Sequence, residues 1–300
     1  MQTWILFMLI AELIWSFTSL FDKIILSKGY IKNPYVFVAF NGLMNILLIF
    51  LLPFFDFGPL SISNILIAVT AGIFLTLGIV LYYKAVQREE ISRVLMLWQL
   101  IPIFVLVMSF FFIDEVLTKM HFAGFLFLFA AGLVVSYKKV NGKFKLSKAF
   151  YLMLGSTLLI SVYYVISKHI YKITDFWSAF MWLRVVAFSG ILVLLIPSVR
   201  KEFIQTMSDM KIGIKGLIGF KMIVDFSAFI FLGFAILNGP ISLVSALGSA
   251  TAPIFIFFIT LFTSIYLPHI VKEDINKKTI LIKALVILLI IVGIFFVNID

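Results

Sequence analysis

The 300-residue chain contains no cysteine, which excludes structural disulfides, thiolate metal sites and cysteine nucleophiles. Charged residues are also scarce, at 13% of the sequence, and no long polar or low-complexity stretch could form a soluble ligand-binding or ATPase domain. The phosphate-loop motif GxxxxGK[ST] and the zinc motif HExxH are absent. We therefore expect no direct use of ATP, no metal and no other cofactor.

Apolar residues fill the chain instead, at 63% of the sequence with a mean hydropathy of +1.18. A membrane-spanning helix needs about 20 of them. The apolar runs predict an all-α integral membrane protein of ten transmembrane helices, and we read the first run as an uncleaved span. The predicted spans 1 to 10 lie near Trp4–Leu26, Pro34–Phe54, Asn64–Val86, Ile91–Ile113, Met120–Tyr137, Lys148–Tyr171, Phe176–Pro197, Gly213–Leu237, Pro240–Leu267 and Thr279–Val297.

The second half of the chain repeats the first at a shift of about 145 to 151 residues. The residues that return in the same order are Ser16, Lys23, Pro53, Ala85, Ile91, Ser92, Pro102, Ile103 and Phe104, as Ser161, Lys168, Pro197, Ala235, Ile241, Ser242, Pro253, Ile254 and Phe255. Each copy holds five spans, so the two copies must cross the bilayer in opposite directions, as the halves of secondary transporters do. We predict two inverted five-helix repeats, residues 1–140 and 146–300.

Basic residues gather in the loops on one side of the predicted spans. They are Lys28, Lys32, Lys84, Arg88, Arg93, the connector from Lys138 to Lys145, Arg200, Lys201, Lys211, Lys215, Lys272, Lys277 and Lys278. The other side carries mainly Lys119, Lys168 and Lys172. Since short cytoplasmic loops are rich in Lys and Arg, we expect both termini outside the cytoplasm in a cell inner membrane. Anionic lipid then accounts for the net charge of +10 without a nucleic-acid partner.

Several of these residues carry a family resemblance. The first copy shows Ala85, Glu89 to Arg93, Gln99, Pro102, Asp114-Glu115 and Gly124 to Gly132, and the second shows Asn238 to Ser242, Pro253 and Gly293. The pattern resembles the EamA-type repeat of the drug/metabolite transporter superfamily over almost the whole chain. The resemblance implies a ten-helix carrier of small metabolites, with a central cavity lined by spans 1, 3, 4, 6, 8 and 9. It implies no single substrate.

The chain departs from that family pattern in two places. Glu115 has only an approximate counterpart in Glu273, displaced by the longer segment from Tyr266 to Lys278. Ten-helix relatives also commonly keep both termini in the cytoplasm, opposite to the orientation that the loop charges favour here.

Ionised side chains inside a membrane are costly, so each one is a candidate site with a partner. Glu12 lies in span 1, one turn before Ser16 and on the same face, where it could exchange protons or meet a cationic group. An interior carboxylate that only stabilises packing is the other interpretation.

The second set of candidates lies in spans 7 and 8. Arg184 is near the middle of span 7, while Lys221 and Asp225 are one turn apart on span 8. Two cations with one carboxylate would leave a net positive site for an anionic or zwitterionic substrate. Alternatively, Asp225 pairs with Arg184 or Lys221 to fix helix packing.

The two repeated prolines mark a third set. Trp98 and Gln99 come just before Pro102, and Ser245 and Ser249 just before Pro253. A proline frees a carbonyl within a helix, and the polar groups around such breaks often contact substrate or ions. A simple kink is the plainer alternative. We expect the small residues within the spans, including Gly72, Gly78, Gly213, Gly216, Gly219 and Gly293, to serve helix packing.

These features favour a secondary-active permease that moves a small polar metabolite by rocking one five-helix unit against the other, with proton coupling as one option. It would act as a monomer or a homodimer. A translocase for a lipid-linked phosphate is an alternative within the same class. An intramembrane enzyme is the alternative from another class, although His121, His169 and His269 all lie near span ends.

Overall fold

The computed structural model describes residues 3–45, 52–54, 58–113, 118–140, 143–266 and 276–297. Eight helical segments in these ranges are long and apolar enough to cross a membrane, so the prediction of a helical multi-pass membrane protein is confirmed. They correspond to predicted spans 1, 3, 4 and 6 to 10, and their bounds are Thr3–Ser27, Ile62–Val86, Ile91–Phe112, Lys148–Ile173, Phe176–Leu195, Ile212–Asn238, Ile241–Tyr266 and Lys277–Val297.

Two shorter helices occupy the positions of predicted spans 2 and 5. They are Pro34–Met44 and Lys119–Ser136. Span 2 is predicted to reach Phe54; after a turn at Asn45 the chain leaves the described ranges, and Leu52–Phe54 form one 3₁₀ turn. The number of ten spans therefore stays a prediction.

Polar residues set where several spans begin. The side chains of Asn33, Ser61, Ser147 and Asp175 accept a backbone hydrogen bond from the first turn of spans 2, 3, 6 and 7. They satisfy amide donors that a helix start leaves without partners. Slight burial opposes ionisation of Asp175, but its hydrogen bonds with Ser178 hold its pKa below the ordinary value.

A glycine ends span 1. Gly29 has a φ of 71°, and the amide of Tyr30 donates to the Ile25 carbonyl at 3.1 Å. This is the geometry of a Schellman turn, in which glycine adopts the left-handed conformation without a steric penalty.

Spans 4 and 7 are not uniform α-helices. Span 4 consists of the α-helices Ile91–Met96 and Leu100–Phe112, joined by a 3₁₀ turn at Leu97–Gln99 just before Pro102. Span 7 is α-helical over Phe176–Val186 and 3₁₀ over Ala187–Leu195. The predicted break near Pro102 is therefore present, whereas span 9 remains α-helical through Pro253.

Two predicted connections contain regular structure instead. The basic connector forms an antiparallel pair of strands, Tyr137–Val140 with Lys143–Leu146, which is a small departure from an all-α fold. The stretch after span 7 is a helix, Pro197–Asp209, which begins at a proline as helices often do. Its Phe203 packs on Phe40 with ring centroids 4.7 Å apart. This helix is too polar for a search for apolar runs to find.

The closest packing joins spans from the two different halves of the chain. Span 3 packs along span 6, and span 8 packs along span 1. Span 4 also packs on span 6, and span 9 on span 1. We call spans 3, 4 and 6 body A, and spans 1, 8 and 9 body B. The further pairings of span 2 with 7, 4 with 9 and 5 with 10 each join spans at equivalent positions of the two halves.

Glycines allow some of these close approaches. A Cβ on Gly72 would lie 2.3 Å from the Val186 carbonyl oxygen, and one on Gly78 would lie 2.7 Å from Ile160. Gly293 meets Leu128 in the same way, at 2.9 Å. Packing is thus confirmed at these positions. It is not seen at Gly213, Gly216 and Gly219, where a Cβ would meet nothing within 4 Å.

We expect Gly72→Ala to lower the free energy of unfolding by about 1–3 kcal/mol, because the obstacle is backbone rather than a movable side chain. The matched control is Gly216→Ala, which should change it by no more than about 1 kcal/mol and in the stabilising direction, since alanine favours helix. Thermal unfolding followed by tryptophan fluorescence measures both. Equal effects would show that the contact of spans 3 and 7 is not tight.

Candidate functional site: a charged central cavity

A cavity of about 210 Å³ lies at the centre of the bundle. Its walls come from spans 1, 3, 4, 6, 8 and 9, as the family resemblance implies, and also from spans 2 and 7. The predicted site residues that line it are Glu12, Ser16, Trp98, Arg184, Lys221, Asp225 and Ser249. Residues 237 positions apart in sequence therefore share one chamber, from both halves of the chain.

Two predicted site residues do not line this cavity. Gln99 is fully buried in the 3₁₀ turn of span 4, and neither polar atom of its amide has a hydrogen-bond partner among the described residues. Ser245 donates a hydrogen bond to the Ser242 carbonyl of its own helix at 2.9 Å. Sequence proximity to a proline did not predict which face of the helix each residue occupies.

Three charged side chains form a triad in the cavity wall, with Lys221 and Asp22 buried and Asp225 partly exposed. The ammonium of Lys221 lies 2.6 Å from Asp225 Oδ2 and 2.9 Å from Asp22 Oδ1. Lys221 is 2% exposed, so both contacts lie in a medium of low dielectric constant where charge pairs interact strongly. Of the two pairings left open for Asp225, the structure has the one with Lys221.

Asp22 is the functional candidate that the sequence reasoning missed. It is next to Lys23 near the end of span 1, where an acidic–basic pair is typical of a solvated helix end. In the structure it is 5% exposed, and Tyr82 donates to its Oδ2 at 3.3 Å. The sequence could have indicated Asp22 as a candidate, because it lies ten residues after Glu12 within the same predicted span.

The sequence predicted a net positive cluster of Arg184, Lys221 and Asp225 and did not include Asp22. Counting Asp22, the triad holds two carboxylates for one ammonium. Neutral donors help to hold this excess negative charge, since Thr18 hydrogen-bonds Asp225 and Tyr82 bonds Asp22. Tyr83 accepts a hydrogen bond from Lys221 at 3.4 Å and another from Asn41 of span 2.

Arg184 has a different environment. Its guanidinium stacks on the ring of Phe229 at 3.8 Å and donates a hydrogen bond to the Tyr163 hydroxyl. It is 3% exposed, and no carboxylate in the described ranges lies within ion-pair distance of it. Aromatic faces solvate a cation partly without neutralising it. Arg184 therefore brings a net positive charge to the cavity wall.

Glu12 is the acidic counterpart of Arg184 at the cavity wall. It is 8% exposed and has no hydrogen-bond or ion-pair partner in the part of the chain that the structure describes. Its carboxylate lies against span 9, where a Cβ on Gly248 would be 2.9 Å from Oε1. A glycine thus leaves room for this carboxylate beside the cavity.

Two lysines at equivalent positions of the two halves bind helix ends at opposite ends of the bundle. Lys23 of span 1 donates to the carbonyls of Val86 and Glu89 at 2.9 and 2.6 Å, where span 3 ends. Lys168 of span 6 donates to carbonyls at the end of span 8, those of Ile236 and Gly239 at 2.6 and 2.8 Å. A cation is favourable there, because the last carbonyls of a helix carry partial negative charge. We call these contacts the Lys23 latch and the Lys168 latch.

Two serines repeat the same relation nearer the middle of the membrane. Ser16 donates to the carbonyl of Ala252, and Ser161 to that of Ile101, at 3.3 and 3.2 Å. Each accepting residue directly precedes one of the repeated prolines. Ser16 therefore ties span 1 to span 9 within body B, as Ser161 ties span 6 to span 4 within body A.

Three of the loops predicted to form a basic face, those after spans 1, 3 and 7, lie together at one end. Asn33 hydrogen-bonds Glu202 at 2.7 Å, and Gln87 donates to the Lys32 carbonyl at 2.6 Å. At the same end Glu90 contacts Arg93 and the buried Lys283 of span 10 at 3.3 and 3.1 Å. Asp114, Glu115 and Glu273 lie outside the described residues.

We expect Lys221→Met to lower the free energy of unfolding by about 3 kcal/mol, because it leaves the buried carboxylate of Asp22 and the partly exposed one of Asp225 without their cation. Adding Asp22→Asn and Asp225→Asn to the same chain should recover most of that loss. Lys201→Met, in the polar helix after span 7, is the control and should have little effect. If Lys221→Met is harmless in thermal unfolding, the triad is hydrated and not a structural ion cluster.

Comparisons with known proteins give the family and the fold. No curated protein sequence matches this chain. A protein of known crystal structure aligns over 99% of this chain and 96% of its own, with a TM-score of 0.61 and 17% identity, so that likeness concerns the fold. Residues 2–137 match the family model of the EamA-like transporter family. The predicted family is thus confirmed for residues 2–137, which form an EamA-like transporter unit of this multi-pass membrane protein.

Proposed function

We propose that the protein is a secondary-active transporter of ten spans, which carries a small polar metabolite across the cytoplasmic membrane by alternating access. The observation that carries the proposal is the central cavity with the ionisable side chains of Arg184 and Glu12 in its wall, flanked at opposite ends by the two lysine latches. A carrier needs a binding chamber and one closure on each side of it. Both are available within a single chain.

An inverted repeat, residues 1–140 and 146–300, is part of the proposal. Its support is the equivalence of contacts: span 3 on span 6 and span 8 on span 1, the Lys23 and Lys168 latches, and the Ser16 and Ser161 hydrogen bonds. A twofold axis in the membrane plane would exchange the members of each pair. It would map the pairings 2 with 7, 4 with 9 and 5 with 10 onto themselves.

The packing favours a different division of moving parts from the two five-helix units. Bodies A and B each combine spans from both halves of the chain, so motion of one repeat against the other would separate the closest helix pairs. Motion of body A against body B would instead leave these pairs intact. The cavity lies between these bodies, and the crossing of spans 4 and 9 would serve as a pivot.

The latches join the two bodies at opposite ends. Lys23 reaches from body B to the end of span 3 in body A, and Lys168 reaches from body A to the end of span 8 in body B. Opening one end of the cavity would break one latch and keep the other. Each open state would then keep one of the two latches, so the two states would have similar contacts and similar free energies. Reversible transport requires this similarity.

Proton coupling is compatible with this arrangement. Glu12 would hold a proton when the chamber is empty and give it up to a cationic group of the substrate. Exchange of this kind would drive transport from a proton gradient without ATP.

We expect Lys168→Ala and Lys23→Ala to change access to the cavity in opposite directions. With a single cysteine at Ala187 in the cysteine-free chain, Lys168→Ala should raise the labelling rate by an impermeant thiol reagent on the outer face, and Lys23→Ala should lower it. A shift of about tenfold corresponds to the loss of a charge-assisted hydrogen bond. Labelling rates in vesicles of known sidedness measure this.

The exposed lysines Lys172 and Lys28 provide matched controls, and their replacement by alanine should leave the rate unchanged. If the labelling rate rises in both latch variants, or falls in both, the two lysines only cap helices. If the cavity cysteine reacts equally from both faces at once, the protein is a channel.

The proposed orientation has its own test. A cysteine at Lys143, in the basic connector, should be shielded from an impermeant thiol reagent in intact cells, because that connector is expected in the cytoplasm. A cysteine at Lys172 should react. The reverse pattern would place both termini in the cytoplasm.

A further inference from the structure

A polar helix outside the cavity joins spans 7 and 8. It runs from Pro197 to Asp209 and begins directly after span 7, which ends at Leu195. Span 8 begins at Ile212, soon after the helix ends. Both ends of the helix are therefore held at the ends of spans, and the helix lies at one surface of the membrane-spanning bundle.

Contacts with span 2 give the depth of this helix. Glu202 accepts a hydrogen bond at 2.7 Å from Asn33, the residue that caps the start of span 2. The next residue, Phe203, packs on Phe40, further along span 2. The stretch of span 2 from Asn33 to Phe40 covers about 10 Å. The helix therefore lies beside the first turns of span 2, at the depth where lipid headgroups meet acyl chains.

The helix has two different exposed sides. Val199 is buried against the bundle, and at about 100° per residue Met207 and Ile204 lie about 80° and 140° to one side of it. Both are exposed, Ile204 by 62% of its surface. The residues on the other exposed side are polar: Ser198, Gln205 and Asp209. Since water is an unfavourable medium for a large apolar side chain, the side with Ile204 suits lipid.

Basic residues border the apolar side. Arg200 precedes Ile204 by one turn, Lys201 is next to Arg200, and Lys211 follows the helix. All three are exposed, and none of them forms an ion pair within the described ranges. Long basic side chains can lay their stems along apolar surface while their charges reach lipid phosphates. An apolar side bordered by unpaired cations is complementary to a bilayer that contains anionic phospholipid.

The equivalent connection in the first half of the chain lacks these cations. Pro197 corresponds to Pro53 in the repeat, and residues 53–61, before span 3, include Asp56 and no basic residue. Under the proposed inverted repeat the two connections lie at opposite faces of the membrane. The basic helix is therefore confined to the face that loop charge assigns to the cytoplasm, where the leaflet carries anionic lipid.

We propose that the helix Pro197–Asp209 is an interfacial helix that binds anionic phospholipid, with Ile204 and Met207 against acyl chains and Arg200 and Lys201 on headgroup phosphates. The site lies on the outside of the bundle and does not depend on what the cavity carries. A neutral bilayer would cover the apolar side and leave the basic residues without counter-charges. A free phosphate ion would do the opposite and leave the apolar side in water.

The test uses a small fluorophore on one cysteine in the cysteine-free chain, in bilayers of equal parts phosphatidylglycerol and phosphatidylcholine. Bromine on the acyl chains of one lipid quenches only a label that contacts that lipid. On Ile204→Cys, brominated phosphatidylglycerol should quench about twofold or more better than brominated phosphatidylcholine. On Gln205→Cys, on the other exposed side, both lipids should quench weakly.

A double variant, Arg200→Gln with Lys201→Gln, tests the role of the two cations. The label on Ile204→Cys should then be quenched equally by the two lipids. The summed quenching should stay the same, because the apolar side still holds the helix on the bilayer. The matched control is Lys119→Gln with Lys172→Gln, two exposed lysines of the other face, which should keep the preference for phosphatidylglycerol.

Three results would overturn the inference. If the label on Ile204→Cys is quenched no more than the label on Gln205→Cys, this side of the helix does not contact lipid and is open to a protein partner. If the two brominated lipids quench equally in the chain that keeps Arg200 and Lys201, the site does not select anionic lipid. If the preference survives the double variant, other residues produce it. No transport is measured, so failure of the proposed function would leave this inference standing.

Discussion

The structure depends on how ionised groups are neutralised where water is scarce. Lys221 between Asp22 and Asp225 ties span 1 to span 8, and neutral donors from Thr18 and Tyr82 complete the cluster. These contacts hold spans 1 and 8 of body B together without any ligand. The same constraint makes Arg184 and Glu12 informative, because each is buried at the cavity wall and neither forms an ion pair within the described ranges.

Charged side chains have a second role at the ends of helices. The ammonium groups of Lys23 and Lys168 satisfy carbonyls that end spans 3 and 8, and each lysine comes from the other body. The interaction is local and its strength comes from the helix terminus. It can therefore break and re-form as a unit, while the serine contacts at Ala252 and Ile101 stay within their own bodies. In the proposed cycle this separates contacts that move from contacts that do not.

Hydropathy predicted the eight described long spans because a continuous apolar run has few other solutions in lipid. It failed at Pro197–Asp209, whose polar composition carries no such signal, and it gave no indication of the 3₁₀ geometry of span 7. Charge in the spans indicated Glu12, Arg184, Lys221 and Asp225 as candidate site residues, and all four line one chamber in the structure. Asp22 and Lys283 were missed, because residues near a span end look solvated in sequence although they are 5% and 4% exposed in the fold.

The central claim is that bodies A and B move against each other so that one end of the cavity opens as the other closes. Distances between spin labels on cysteine pairs test it directly, with Lys28 and Arg88 spanning one end and Lys172 and Asn238 the other. The account predicts that each label pair shows two distances, one for each state of the cavity. In Lys168→Ala the distance at the Lys172 end should be longer and the distance at the Lys28 end shorter. A single unchanging distance at both ends, or lengthening at both together, would contradict it.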